Sequence, residues 1–153
     1  MTGQETHFSL ICRSGNVLCA LRVESVIETM RPLPLETLPG APHFVAGVSI
    51  VRGSPLPVIA VGRLFGRPDT RPERLVVMRV GTRRVGLAVD SVVGVRPLSA
   101  EVLEKLPPLL RDAGQDAVDD IGTLDGELMV ELSAARVVPA DVFAIVEAEA
   151  AAS

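Results

Sequence analysis

The chain contains no tryptophan and no tyrosine, and only four phenylalanines among its 153 residues. Proteins that hold single-stranded nucleic acid stack the bases on aromatic side chains, which are nearly missing here. The formal net charge of −4 also offers no electrostatic attraction to phosphate groups. The composition therefore argues against a nucleic-acid partner.

Cysteine is equally scarce, with Cys12 and Cys19 as the only two. Two cysteines are too few for the disulfide framework of a small secreted domain. The first residues lack both the basic and the apolar segments of a secretory signal, and no apolar run approaches the ~20 residues that a membrane-spanning helix needs. We expect a cytoplasmic protein with no direct insertion into the membrane.

Motifs of catalysis and metal binding are missing from the sequence as well. The two histidines, His7 and His43, have no cysteine or histidine at the spacing of metal ligands, and no recognisable triad partner flanks either one. The sequence contains neither a G-x-S-x-G nucleophile turn nor a glycine-rich phosphate loop. We therefore expect no enzyme, no metal and no cofactor.

What the chain has in abundance is short valine-rich segments separated by turns. Residues Phe8 to Cys12 alternate with period two, Ser14-Gly15-Asn16 suits a tight turn, and a second alternating segment follows. Folding this hairpin brings Cys12 and Cys19 roughly opposite each other. Two interpretations remain: two small buried thiols, which a reducing compartment favours, or a redox-sensitive cross-strand pair, which spacing alone does not support.

The central hairpin is the feature around which the rest of the chain is organised. Two apolar runs, Val45–Val51 and Leu56–Val61, flank a turn at Arg52-Gly53-Ser54-Pro55. Arg52 is the one charged residue between Val45 and Val61, and an arginine there can bind a carboxylate with both arms of its guanidinium.

Further hairpins are predicted along the rest of the chain, together with two helices. Residues 74–80 pair with 84–90, residues 121–124 pair with 128–132, and 91–96 forms another extended piece. A short helix is possible at Ser99–Leu106, and a C-terminal helix begins near Pro139. Nine or ten short strands with tight turns and little helix indicate an all-β barrel architecture.

A proline-rich segment separates the first and central hairpins. Arg31–Pro42 contains four prolines, which forces an extended loop. Its leucines, Leu33, Leu35 and Leu38, suit a protein–protein contact and are not readily explained as buried strand residues. The alternative, that nearby apolar runs are strands buried on both faces, accounts for most of the other residues.

Three segments resemble the CheW-like family of chemotaxis coupling proteins. The first runs from Gly47 through Arg52-Gly53 to Pro57-Val58-Ile59 and ends in Leu64-Phe65-Gly66. The second is Val85–Val92, which includes Gly86 and Asp90, and the third is Ile121–Val130. The resemblance extends from about residue 7 to about residue 138, with Ser49 and Ala60 standing where the family usually has Asn and Asp.

The resemblance implies two small five-stranded SH3-like β-barrel lobes packed together, with short helices including a C-terminal one. Residues 1–153 would form a single CheW-like domain, with 139–153 as the C-terminal helix and a frayed tail. The implied function is a non-enzymatic scaffold that couples chemoreceptor cytoplasmic tips to the regulatory domain of a CheA-type histidine kinase, recruited to membrane-associated receptor arrays. The open alternative is a sensory or interaction barrel of a non-flagellar pathway that binds a small molecule.

The resemblance also implies which residues form the site. The receptor groove would consist of Glu28, Val48, Ile50, Arg52 and Gly53, with an ion pair between Arg52 and Glu28 holding its shape. The structural signature of the family falls on Gly47, Pro57, Gly66, Gly86, Asp90 and Gly122.

Overall fold

The computed structural model of this chain describes residues 6–66, 71–99, 103–105, 118–133, 136–138 and 140–152. Within them lie eleven strands: β1 (His7–Ser14), β2 (Val17–Arg22), β3 (Val26–Met30), β4 (Val45–Val51), β5 (Ser54–Ala60), β6 (Arg74–Val80), β7 (Arg83–Val89), β8 (Ser91–Leu98), β9 (Leu103–Lys105), β10 (Val118–Leu124) and β11 (Glu127–Leu132). A 3₁₀ turn at Val23–Ser25 and the α-helices α1 (Val61–Leu64) and α2 (Ala140–Ala152) complete these elements.

The strands form two lobes. Lobe 1 is a six-stranded sheet in the order β8-β1-β2-β11-β10-β9, and lobe 2 is a five-stranded sheet in the order β3-β6-β7-β5-β4. The expected all-β fold of two small lobes with short helices is confirmed. Lobe 1 has one strand more than the five expected, because the three residues of β9 pair with β10.

The two lobes repeat the same strand arrangement in a circularly permuted order. Each contains one parallel pairing between two hairpins: Val58 opposite Gly86 in lobe 2, and Glu131 opposite Ala20 in lobe 1. Both outer hairpins, β4–β5 and β10–β11, turn through two residues with positive φ, at Arg52-Gly53 (52° and 79°) and Asp125-Gly126 (52° and 81°). The chain thus contains two copies of the same barrel unit.

The chain crosses between the lobes at two described points. Val23–Ser25 is a 3₁₀ turn that leads from β2 into β3. Asp90 lies between β7 and β8, where its N–H donates to the Arg13 carbonyl oxygen (2.9 Å) and its Oδ2 accepts from the Gly15 N–H (2.7 Å). Asp90 therefore fastens the start of β8 to the β1–β2 turn.

One apolar core joins both lobes and the C-terminal helix. Its members include Leu21 from β2, Ile59 from β5 and Leu87 from β7, all 0% exposed, with Phe143 of α2 packed against them. The Arg83 guanidinium lies 4.8 Å from the Phe143 ring centroid and 3.2 Å from the Glu147 carboxylate. These contacts dock the predicted C-terminal helix onto the strands.

The two cysteines lie directly opposite each other on β1 and β2, as expected, and both are fully buried and free. Burial raises the pKa of the Cys12 thiol to about 12, and it raises the pKa of Cys19 still further. Thiols of such high pKa remain protonated and unreactive at neutral pH. The geometry thus matches the interpretation as two small buried side chains.

Two sequence-based expectations need correction. Leu103–Lys105, expected within a short helix, forms β9 against β10, while the rest of 99–106 apart from Ser99 lies outside the described residues. Leu38 is 7% exposed and belongs to the shared core, so it needs no partner to explain it. Across the described parts of the chain, no helix is both long and apolar enough to cross a membrane.

Candidate partner-binding site

The tip of the β4–β5 hairpin has an unusual backbone conformation. Arg52 adopts a φ of 52°, in the left-handed region, and Gly53 follows at 79°. Two successive positive φ angles are typical of the tight turns that match the twist of a hairpin, and Asn or Gly usually occupies them. Any residue with a Cβ atom there costs roughly 1–2 kcal/mol. An arginine at this position therefore indicates a use for its side chain.

That side chain binds Glu28 of β3 through two parallel hydrogen bonds. Arg52 Nε donates to Glu28 Oε2 at 2.9 Å, and Arg52 Nη2 donates to Glu28 Oε1 at 2.8 Å. The hydrogen bond from Arg52 is the main cause that lowers the pKa of the Glu28 carboxyl below its ordinary value, with the charges of Arg52 and Arg84 acting in the same direction. The expected pairing is thus present, in the two-armed geometry that is strongest for arginine.

This ion pair closes lobe 2. The strands β3 and β4 are the two ends of the five-stranded sheet, so a contact between Glu28 and Arg52 joins its two edges. Arg84 adds a second connection by donating from Nη2 to the Val51 carbonyl oxygen at 3.1 Å. In lobe 1 the equivalent hairpin tip has the opposite charge, with Asp125 3.9 Å from Arg96 of the edge strand β8.

Exposed apolar side chains lie on β4 and on the proline-rich segment beside it. Ile50 on β4 is 63% exposed, and Leu35 in the proline-rich segment is 46% exposed. Glu36 and Val48 exchange two backbone hydrogen bonds of 2.8 Å, which pairs the segment with the outer edge of β4. The apolar surface is therefore held on a hydrogen-bonded framework.

Two small residues make this pairing possible. Gly47 has a φ of 148°, and a methyl group on its Cα would overlap with the Glu36 carbonyl oxygen. Ser49 is buried, and its hydroxyl donates to the Pro34 carbonyl oxygen at 3.0 Å. Sequence reasoning treated Ser49 only as a departure from the family pattern, whereas the structure gives it a role in fastening the proline-rich segment.

The remaining signature residues belong to the framework of the two lobes. Gly86 is packed in lobe 2, where an added Cβ would lie 2.9 Å from both Leu56 Cδ2 and Leu75 Cδ1. Gly66 follows α1 with a φ of 77°, Pro57 pairs with Val48, and Gly122 on β10 pairs with Met129. The structure thus brings Glu28, Val48, Ile50, Arg52 and Gly53 together on lobe 2 and disperses the signature residues through the framework.

A buried glutamate beside a histidine in lobe 1 was not anticipated. Glu131 is 2% exposed, and its Oε2 lies 2.9 Å from His7 Nε2. Glu131 occupies the position in β11 that apolar Val58 occupies in β5. No local pattern in the sequence indicated a buried acidic side chain at this position. Among the residues that the structure describes, no group of three or more His, Cys, Asp or Glu side chains is arranged to hold a metal ion.

Two small β-barrel lobes that share one apolar core define a double-barrel, all-β protein. The family model described as CheW-like domain matches residues 9–142, and the chain belongs to this family.

Individual relatives agree with this assignment. The chain is 33% identical over 108 residues to protein FrzA of Myxococcus xanthus, an alignment that covers 68% of this chain and 66% of FrzA, just under two thirds. It is 25% identical over 132 residues to chemotaxis protein CheW of Rhizobium meliloti, covering 84% and 85% of the two chains. The crystal structure of scaffolding protein TtCheW from Thermoanaerobacter tengcongensis has the same fold, with a TM-score of 0.71, 21% identity, and coverage of 87% of this chain and 92% of that one.

Proposed function

We propose that this CheW-family protein is a non-enzymatic scaffold of chemotaxis-type signalling, which couples the cytoplasmic tips of chemoreceptors to the regulatory domain of a CheA-type histidine kinase. Family membership and the two-lobed fold support the proposal. Two partners require two surfaces, and two barrel units in one chain can supply them. Receptor binding would bring the protein to membrane-associated arrays.

The proposed receptor surface consists of Glu28, Val48, Ile50, Arg52 and Gly53. The observation that carries this assignment is the two-armed ion pair of Arg52 with Glu28 beside the exposed Ile50 side chain. An exposed aliphatic anchor beside a rigid charged rim is the arrangement that binds the apolar face of a partner helix. The closed barrel edge holds Ile50 in place before the partner arrives, which lowers the ordering cost of binding.

We also propose that residues 1–153 act as one CheW-like domain rather than as two independent barrels. The core that contains Leu21 and Cys19 of lobe 1 also contains Ile59 and Leu87 of lobe 2, and α2 covers part of it. Separating the lobes would expose these fully buried side chains to water, at a cost of roughly 1.5–3 kcal/mol for each large one.

A charge placed at the proposed anchor tests the receptor surface. Ile50→Glu is compared with Leu128→Glu, which alters a residue of lobe 1 that is 45% exposed and therefore also accessible to solvent. Each variant is titrated separately with a soluble receptor-tip fragment and with the kinase regulatory domain. We expect Ile50→Glu to weaken receptor binding by at least about tenfold, because one well-packed anchor contributes more than ~1.4 kcal/mol.

Leu128→Glu should bind the receptor fragment as the unchanged protein does. Equal receptor affinity of Ile50→Glu and the unchanged protein would remove Ile50 from the receptor surface. Failure of the unchanged protein to bind the kinase domain would overturn the scaffold assignment itself.

A further inference from the structure

Lobe 2 contains a cavity beneath the proline-rich segment. It is partly open to solvent and has a volume of about 190 Å³. Leu33 and Leu35 of the segment cover one side, and Ala46, Ala60 and Ala88, from β4, β5 and β7, line the sheet side. An apolar cavity of ~150 Å³ stays dry and accepts a benzene-sized molecule, so this volume is sufficient for a small ligand.

Small side chains on the sheet create the space. Three neighbouring strands each contribute an alanine where a larger residue would fill the volume. The proline-rich segment cannot settle freely onto them, because Ser49 Oγ binds the Pro34 carbonyl oxygen and Glu36 pairs with Val48. The cavity is therefore a consequence of hydrogen bonds that hold the proline-rich segment in place.

Arg63 of α1 contributes the single charged side chain among the described lining residues. Its Nη1 donates to the His43 carbonyl oxygen at 3.2 Å, and no carboxylate of the described residues pairs with it. Arg63 is exposed, so its remaining N–H donors are accessible to a ligand entering from solvent. An apolar space beside a guanidinium that no described carboxylate pairs with suits a molecule that has an apolar body and one anionic end.

We propose that this cavity binds a small monocarboxylate whose apolar tail, of about six carbons, lies among Ala46, Ala60 and Ala88 while its carboxylate pairs with Arg63. The inference goes beyond the scaffold function and does not depend on it. It assigns a ligand chemistry to a part of lobe 2 whose lining contains none of the five residues of the proposed receptor surface.

Hexanoate and benzoate are the probes, with 1-hexanol and benzyl alcohol as neutral partners of the same shape. The full chain, labelled with ¹³C at alanine and leucine methyl groups, is titrated with each probe and followed by NMR. We expect saturable shifts at Ala46, Ala60 and Ala88, and binding of the acids at least about tenfold tighter than of the alcohols, because a charge-assisted hydrogen bond is stronger than a neutral one.

Two variants separate the apolar and charged contributions. Arg63→Gln should make each acid bind no more tightly than its alcohol, while Ala46→Leu, at a half-buried lining position, should abolish binding of all four probes. Shifts confined to residues away from the cavity would overturn the proposal. So would the absence of saturation at millimolar concentrations, or equal affinity of acid and alcohol in the unchanged protein. These shifts are measured on the unchanged protein, so the proposal can be refuted even where a variant fails to fold.

Discussion

Arg52 holds both carboxylate oxygens of Glu28, a residue 24 positions earlier, from a backbone conformation that arginine seldom adopts. The pair connects the two edge strands of lobe 2, and its position depends on the tight turn at Arg52-Gly53. Strain retained at an exposed hairpin tip is typical of residues kept for a function.

Replacing Arg52 by glycine or by alanine separates backbone strain from the ion pair. Both variants lose the contact with Glu28, but glycine adopts a φ of 52° without a Cβ penalty, whereas alanine retains it. We expect Arg52→Gly to be more stable than Arg52→Ala by about 1 kcal/mol in urea unfolding. Both should bind a receptor-tip fragment more weakly, and unchanged receptor binding by either variant would contradict the role given to the side chain.

Glu28 should make stability depend on pH in the acid range. Its pKa in the folded state is lowered from the ordinary value of 4.5, so the folded state binds its proton less readily than the unfolded chain does. The stabilisation is therefore fully present above pH 4.5 and is lost as the pH falls through the lower, folded-state pKa. Below pH 4.5, we expect the urea midpoint of Glu28→Gln to depend less on pH than the midpoint of the unchanged protein. An identical slope for both proteins would show that Glu28 gains nothing from Arg52.

Gly47 should tolerate a methyl group poorly because two costs combine there. Its φ of 148° disfavours any side chain, and the added carbon would overlap with the Glu36 carbonyl oxygen. Gly40 is the matched control, because its φ of 82° is also positive but open space surrounds it. We expect Gly47→Ala to lower the free energy of unfolding by about 2–4 kcal/mol and Gly40→Ala by about 1 kcal/mol. Equal losses would mean that the proline-rich segment does not press against β4.

The two thiols should be unreactive in the folded protein. Both are fully buried, and burial raises the pKa of Cys12 to about 12 and that of Cys19 further. We expect a thiol reagent at neutral pH to label neither cysteine within minutes, and to label both at once in guanidinium chloride. Rapid labelling of the native protein, or a disulfide formed under mild oxidation without unfolding, would support the redox interpretation instead.

Local patterns in the sequence were enough to predict several features of the fold. Alternation and turn residues placed Cys12 opposite Cys19 and located the hairpin at Arg52, because a hairpin's register follows from its own turn. The partner of Arg52 came from the family resemblance. Arg52 reaches Glu28 only because β3 and β4 are the two ends of one sheet, and local periodicity does not encode that arrangement.

Features that depend on distant pairing were missed. Leu38 was interpreted as part of a contact surface because its neighbours are prolines, yet it is buried in the shared core. Ser49 and Glu36 have their roles only because the proline-rich segment pairs with β4. Glu131 is buried beside His7, more than a hundred residues away in sequence, so the two could not be associated from the sequence alone.

The most direct test of the central proposal is a sedimentation experiment with three purified components: this protein, a soluble chemoreceptor-tip fragment and the regulatory domain of the CheA-type kinase from the same organism. We predict a complex that contains all three, with the receptor fragment lost and the kinase domain retained when Arg52→Gly replaces the unchanged protein. If the unchanged protein sediments alone in the presence of both partners at concentrations of about 10 μM, where transient signalling contacts are measurable, the scaffold proposal is wrong.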